Sequence, residues 1–185
     1  MSSEDKRTPG AGAAPLLSEE DRLLLAKYEH HLTGSTRHSL DSKGRMVVPS
    51  EFRDSLGPAF CIAPSTDFKS IALYSAIGWV RLRESYERLR SRHSSLVRFL
   101  ERFDAYSYRG QECDAQGRVL LPLKLRQLVL GEEKDVEISG AGDHIRVAAA
   151  RRDSADMETF LAELPDILQD IDHIQDEADR RGSGE

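Results

Sequence analysis

The sequence predicts an α+β fold with internal pseudo-twofold symmetry, and three observations carry that reading. One motif occurs twice, each copy alternates extended runs with a short helix, and an amphipathic stretch joins the copies. Leu40-Asp-Ser-Lys-Gly-Arg-Met-Val-Val-Pro-Ser-Glu-Phe-Arg-Asp-Ser-Leu-Gly57 reappears as Cys113-Asp-Ala-Gln-Gly-Arg-Val-Leu-Leu-Pro-Leu-Lys-Leu-Arg-Gln-Leu-Val-Leu-Gly131. Asp41, Gly44, Arg45, Pro49 and Arg53 align with Asp114, Gly117, Arg118, Pro122 and Arg126, each displaced by 73 positions. A fixed displacement of five matching positions marks a duplicated supersecondary unit.

Each element has its own justification. In residues 1–31, Pro9-Gly-Ala-Gly-Ala-Ala-Pro15 has linker composition, and Ser18-Glu-Glu-Asp21 before Leu23-Leu-Leu25 predicts a capped helix with an apolar side. In each unit an extended run (Ser35 to Leu40; Tyr106 to Cys113) meets a turn and then an aliphatic run (Met46 to Val48; Val119 to Leu121). The turn aspartate can accept from the backbone two residues on, and the glycine supplies positive φ, which predicts a β-hairpin. Pro49 and Pro122 cannot continue a central strand but suit a helix start. Phe52 with Leu56, and Leu125 with Leu128 and Val129, give those helices an apolar face, and Gly57 and Gly131 stand where an αL cap belongs. A second strand pair follows in each unit: Phe60–Ala63 with Ile71–Tyr74, and Asp135–Ile138 with His144–Val147.

Between the units, Val80, Leu82, Tyr86 and Leu89, then Leu96, Val97, Leu100 and Phe103, recur at helical spacing. The polar stretch Ser91 to Ser95 predicts a break, with Ser94 or Ser95 capping a second helix. In residues 154–185, Met157, Phe160, Leu161, Leu164, Leu168, Ile171 and Ile174 predict an amphipathic helix that breaks or restarts at Pro165. The expected organisation is an extension (1–31), a first unit with its helical link (32–104), a second unit (105–153) and an acidic helical tail (154–185). One unit alone would expose sheet edges and bury little, so the two are expected to interlock.

Charge is unevenly divided. The 185 residues carry a formal charge of −6, yet residues 32–153 hold 20 basic and 16 acidic side chains, while residues 154–185 hold 2 and 10. Overall acidity therefore does not exclude a polyanionic partner for the middle of the chain. No apolar stretch reaches the roughly 18–20 residues of a membrane span, and the polar start lacks the apolar core of a secretion signal. A cytoplasmic protein without a membrane partner is expected. Cys61 and Cys113 each sit in an apolar-patterned run and read as core thiols. His30, His31, His38, His93, His144 and His173 lack metal-ligand spacing, so neither a metal nor any other cofactor is expected.

The doubled Asp-x-x-Gly-Arg…Pro…Arg motif, the aromatic-and-arginine link and the segment Glu112-Cys-Asp-Ala-Gln-Gly-Arg118 resemble the MraZ family of bacterial transcriptional regulators over about Leu32 to Asp153. The resemblance implies two tandem AbrB-like swapped-hairpin units forming a pseudo-twofold β-barrel with flanking helices. It also implies a DNA-binding, nucleoid-associated protein that assembles into a closed homo-oligomeric ring. Such a protein binds short direct repeats of double-stranded DNA and represses the division and cell-wall gene cluster, its own gene included.

The motif's chemistry suits that role. Lys43 and Arg45 lie at or beside a turn, where Gly44 leaves room for phosphate; arginine can fork onto guanine, while lysine serves as a phosphate point charge. A β-ribbon in the major groove is an established geometry. The second turn keeps Arg118 but has Gln116 in place of the lysine, so the first turn is the expected principal contact. The alternative reading makes Asp41 with Arg45, and Asp114 with Arg118, ion pairs that brace a turn, with Gly117 structural in the second. Arg53 and Arg126, on the short helices, read as further DNA contacts or as sheet-facing or solvated charges. The linking arginines Arg81, Arg83, Arg88, Arg90, Arg92, Arg98 and Arg102 could meet phosphate, solvent or a neighbouring subunit.

Two readings of other classes remain. An enzyme pairing Asp41 or Asp114 with a histidine finds no nucleophile elbow, phosphate loop or metal cluster in the sequence, so no small-molecule substrate is expected. An antitoxin-like regulator or protein-interaction module acting through its C-terminal tail draws on the apolar stripe there.

Overall fold

The computed structural model describes residues 17–29, 31–90 and 94–182. The chain divides into two compact bodies, Met1–His30 and His31–Glu185, and both duplicated units lie in the second. In the first, α1 (Glu19–Tyr28) opens on a capping box: the Ser18 hydroxyl accepts from the Asp21 N–H at 3.0 Å, and the Asp21 carboxylate accepts from the Ser18 N–H at 3.2 Å. That is the predicted capped helix, and its leucines are exposed. The Pro9–Pro15 linker lies outside the described residues.

The second body runs β1 (Ser35–Ser39), β2 (Arg45–Val47), α2 (Ser50–Leu56), β3 (Phe60–Pro64), β4 (Ile71–Ser75), α3 (Ala76–Arg90) and α4 (Ser94–Ala105). It continues as β5 (Tyr108–Gln111), β6 (Arg118–Leu120), α5 (Leu123–Val129), β7 (Asp135–Gly140), β8 (His144–Ala149) and α6 (Ala150–Gly182). Pro49 and Pro122 stand immediately before α2 and α5, as N-cap residues. The fold is α+β with antiparallel strand pairing.

The turns form where the sequence places them, but the strands beside them do not pair as simple hairpins. β1 pairs with β7, and β2 pairs with β6. Likewise β5 pairs with β3 rather than with β6. The physical reason is side-chain facing. Met46 and Val119 must bury one face of a three-residue strand, and they do so by pairing with each other, which leaves β1 and β5 to complete the sheet of the opposite unit.

Six strands form one sheet in the order β1-β7-β8-β4-β3-β5, and β2-β6 forms a separate ribbon. The order is palindromic in the two units. Equivalent residues 46 and 119 face each other in the ribbon, and Ala72 faces Arg146 where β4 meets β8, so a pseudo-dyad passes through both places. Hydrogen bonding closes no barrel among the described residues; the strands form an open sheet and a ribbon.

Period-2 alternation distributes the apolar residues of β3 and β4 to two cores. Phe60, Ile62, Ile71 and Leu73 join Met46, Val119, Leu125, Val136, Ile138, Ile145 and Val147 in a core shared by both units. Cys61, Ala63, Ala72 and Tyr74 face the opposite way, against Trp79 and Phe103 of α3 and α4. There Trp79 stacks on Phe103 with centroids 5.6 Å apart. The corresponding face of β7–β8 is polar instead, with Glu137 near Arg37 at 3.7 Å and Arg146 paired with Asp153 of α6.

Two helices form in the link, as expected; residues 91–93, within the stretch where the break was expected, lie outside the described residues. Ser94 and Ser95 lie inside the first turn of α4 rather than capping it from outside. At the C-terminus the expected interruption at Pro165 does not occur, since α6 passes through it. Pro165 removes one N–H from the ladder, and the carbonyl it frees lies on an exposed helix where water can satisfy it.

Candidate nucleic-acid interface

Residues alternate across the two-stranded ribbon. Met46 and Val119 point into the shared core, so Arg45 and Val47 of β2, with Arg118 and Leu120 of β6, share the outer face. Arg45 stands opposite Leu120 and Val47 opposite Arg118, which makes the two arginines diagonal neighbours, a spacing of roughly 7–8 Å in an antiparallel pair. Val47 and Leu120 are 43% and 54% exposed. Sequence reasoning missed those two as part of the face, although their period-2 relation to Arg45 and Arg118 was a usable signal.

Each turn is held by its own aspartate. Asp41 accepts from the backbone N–H of Lys43 at 2.8 Å and of Arg45 at 2.9 Å, and from Arg45 Nε at 2.6 Å. Asp114 repeats the set with Gln116, Arg118 and Arg118 Nε, each at 2.9 Å. Arg45 Nη2 lies 2.6 Å from Asp41 Oδ2 and Arg118 Nη2 lies 2.8 Å from Asp114 Oδ2, so in each pair Nε and Nη2 converge on one carboxylate oxygen while Oδ1 takes the backbone N–H groups. The backbone N–H of Arg45, followed by its guanidinium and the Lys43 N–H, holds the Asp41 carboxyl at about 2, below the usual carboxylate range. Asp114 is lowered too, first by the Arg118 guanidinium and then by the N–H groups of Arg118 and Gln116.

The turns sit at opposite ends of the ribbon, stitched to the other unit. The Val48 N–H donates to the Gly117 carbonyl at 2.9 Å, and the Leu121 N–H to that of Gly44 at 3.1 Å. Gly44 has φ +80° and Gly117 φ +73°, the left-handed region that glycine enters without penalty. Both are also covered. A Cβ at Gly44 would overlap the Arg126 guanidinium, and one at Gly117 would lie 2.5 Å from Arg53 Nη1. Arg53 and Arg126 therefore lie over the turn of the opposite unit.

The structure thus gathers Gly44, Arg45, Gly117, Arg118, Arg53 and Arg126 around one ribbon. Lys43 and Gln116 are exposed at its turn tips, and neither side chain has a polar partner among the described residues. The bracing reading of Asp41–Arg45 and Asp114–Arg118 describes the geometry. It leaves each guanidinium partly exposed, at 29% and 30% of its side chain, with Nη1 outside the pair. Burial pushes the Cys61 thiol up to about 12 and raises that of Cys113, which suits packing rather than reactivity. No helix of the described residues is long and apolar enough to cross a membrane.

No family model matches the chain. Individual relatives do. A protein of Lachnoclostridium phytofermentans named transcriptional regulator MraZ is 31% identical over 138 residues, which cover 75% of this chain and 95% of that protein. The chain belongs to the MraZ family. Two further transcriptional regulators MraZ, from Acetivibrio thermocellus and Natranaerobius thermophilus, are 36% and 37% identical over 114 residues, covering 62% of this chain and 78% of each relative. The MraZ resemblance read from the doubled motif is thus correct, and at least a quarter of this chain lies outside each of these matches.

Proposed function

We propose that this chain is a sequence-specific DNA-binding repressor that reads short direct repeats through the outer face of the β2–β6 ribbon. Its targets are the division and cell-wall gene cluster and its own gene, placing it on the nucleoid. The observation that supports this most is the shared ribbon, where strand exchange brings two partly exposed arginines onto one face between the turns carrying Lys43 and Gln116. Arg45 and Arg118, steadied by their aspartates, present Nη1 to base edges; Val47 and Leu120 supply apolar contact of the kind that suits a thymine methyl. Lys43 serves as a phosphate charge and makes the first turn the stronger contact. The duplicated unit with exchanged strands is the single-chain form of the AbrB-like swapped-hairpin arrangement, and Arg53 and Arg126 hold the turns rather than read bases.

One ribbon with few cations binds weakly, so the chain acts as a closed ring that offers several ribbons to tandem sites at high effective concentration. The test is a gel-shift titration on the DNA upstream of its own gene. Lys43→Ala weakens binding to all sequences alike and flattens the salt dependence, whereas Arg45→Ala lowers discrimination between repeat and scrambled DNA. Equal affinity of wild type and both variants for the repeats would overturn the assignment. A tail-mediated antitoxin-like regulator would instead keep its main activity in both.

A further inference from the structure

The apolar stripe of α6 is unpartnered. Met157, Phe160, Leu164, Ile167, Ile171 and Ile174 follow a three-four spacing along one side, the pattern of a helix-packing seam, and none is buried. Glu163 and Asp170, seven residues apart along one edge of that seam, have no cationic partner among the described residues. On the outer side of α3, Ile77 and Val80 are 57% and 44% exposed. Arg81 and Arg88, also seven residues apart, follow them toward the C-terminal end of α3, without a carboxylate partner among the described residues. Of the acids on or beside that face, Glu87 is engaged by Arg90 at 3.1 Å, and Glu84 lies between the two free arginines.

We propose that the seam of α6 docks on the outer face of α3 in a second copy of the chain, with Glu163 and Asp170 paired to Arg81 and Arg88. Seven residues span about 10.5 Å on either helix, so the two acids and the two cations match in pitch. Apolar residues then meet Ile77 and Val80. A second copy is favoured over the same chain because within one chain α6 packs on β7 and β8, whereas α3 packs on β3, β4 and α4. Pairing α6 with another α6 is disfavoured by charge, since residues 154–185 carry 10 acidic and 2 basic side chains. A head-to-tail contact of this kind repeats from copy to copy, and it closes into a ring when the rotation allows. The proposal rests on the assembly reading above and supplies its contact.

The test measures the mass of the full-length protein by sedimentation and light scattering, without DNA, at tens of micromolar and about 0.1 M salt. Circular dichroism checks that each variant folds. Arg81→Glu with Arg88→Glu should shift the mass several-fold toward monomer, and Glu163→Arg with Asp170→Arg should do the same. Combining all four should restore the wild-type mass. If either reversal leaves a wild-type assembly intact, or the combined variant folds but stays small, the α6–α3 contact is wrong while assembly itself stands. A monomeric wild type would overturn the assembly reading and this contact together.

Discussion

Gly44 and Gly117 are constrained twice over, by their positive φ and by the guanidinium that covers each. Gly117→Ala should cost about 1–2 kcal/mol for the left-handed backbone alone, with the collision against Arg53 added. Arg53→Ala in the same chain removes the collision and keeps the backbone penalty. A double-mutant cycle by urea unfolding should therefore show the pair less destabilised than the sum, by on the order of 0.5–3 kcal/mol; simple additivity would mean that Arg53 does not touch the turn. Asp41 gives the second prediction. Its folded-state carboxyl is depressed to about 2, so its contribution to the turn is present above the ordinary carboxylate range and is lost as pH falls through the folded value. Between about pH 4 and pH 2 the Arg45 Nε–H resonance should lose its shift, and Asp41→Asn should abolish that step. The roles of Asp41 and Gly44 were legible in the sequence because an Asx turn and a positive φ are local properties. Arg53 was not, since its partner lies 64 positions away and no local rule points to Gly117.

At the scale of elements, aromatic packing decides where the helical link sits. Phe103 is fully buried, touching Trp79, Phe99, Phe68 and Tyr86 as stacked or edge-on rings. Phe103→Ala should cost about 3–5 kcal/mol, read from chemical denaturation, and should release α3 and α4 together from the second face of β3–β4. The short helices, the link helices and the hairpins β3–β4 and β7–β8 all follow from periodicity, proline placement and turn chemistry, which are short-range signals. The partners of β1, β2, β5 and β6 do not. A three-residue strand such as Arg45–Val47 states which side is apolar but not which strand it faces. Pro165 misled for a related reason: a proline in an exposed helix breaks it less surely than one in a packed interior, because water can take up the freed carbonyl.

For the whole molecule, the duplicated motif predicted the pseudo-symmetry and the interlocking of the units, while the open sheet and separate ribbon are visible only in the strand pairing. Because the large core draws on both units, a fragment of residues 31–105 should not unfold cooperatively by itself, and neither should residues 106–182. Mixing them should restore a sharp thermal transition reported by the fluorescence of Trp79; a cooperative transition in either fragment alone would show that a unit is self-sufficient. The exchange also sets a timetable for synthesis. β1 waits for β7, and Ser35 meets Glu137 only after 102 further residues have been added. Until then the nascent chain carries an unfinished edge and uncovered aliphatic surface, and long-range pairing of this kind closes slowly. The ribosome therefore releases most of this protein before its first strand has anywhere to go.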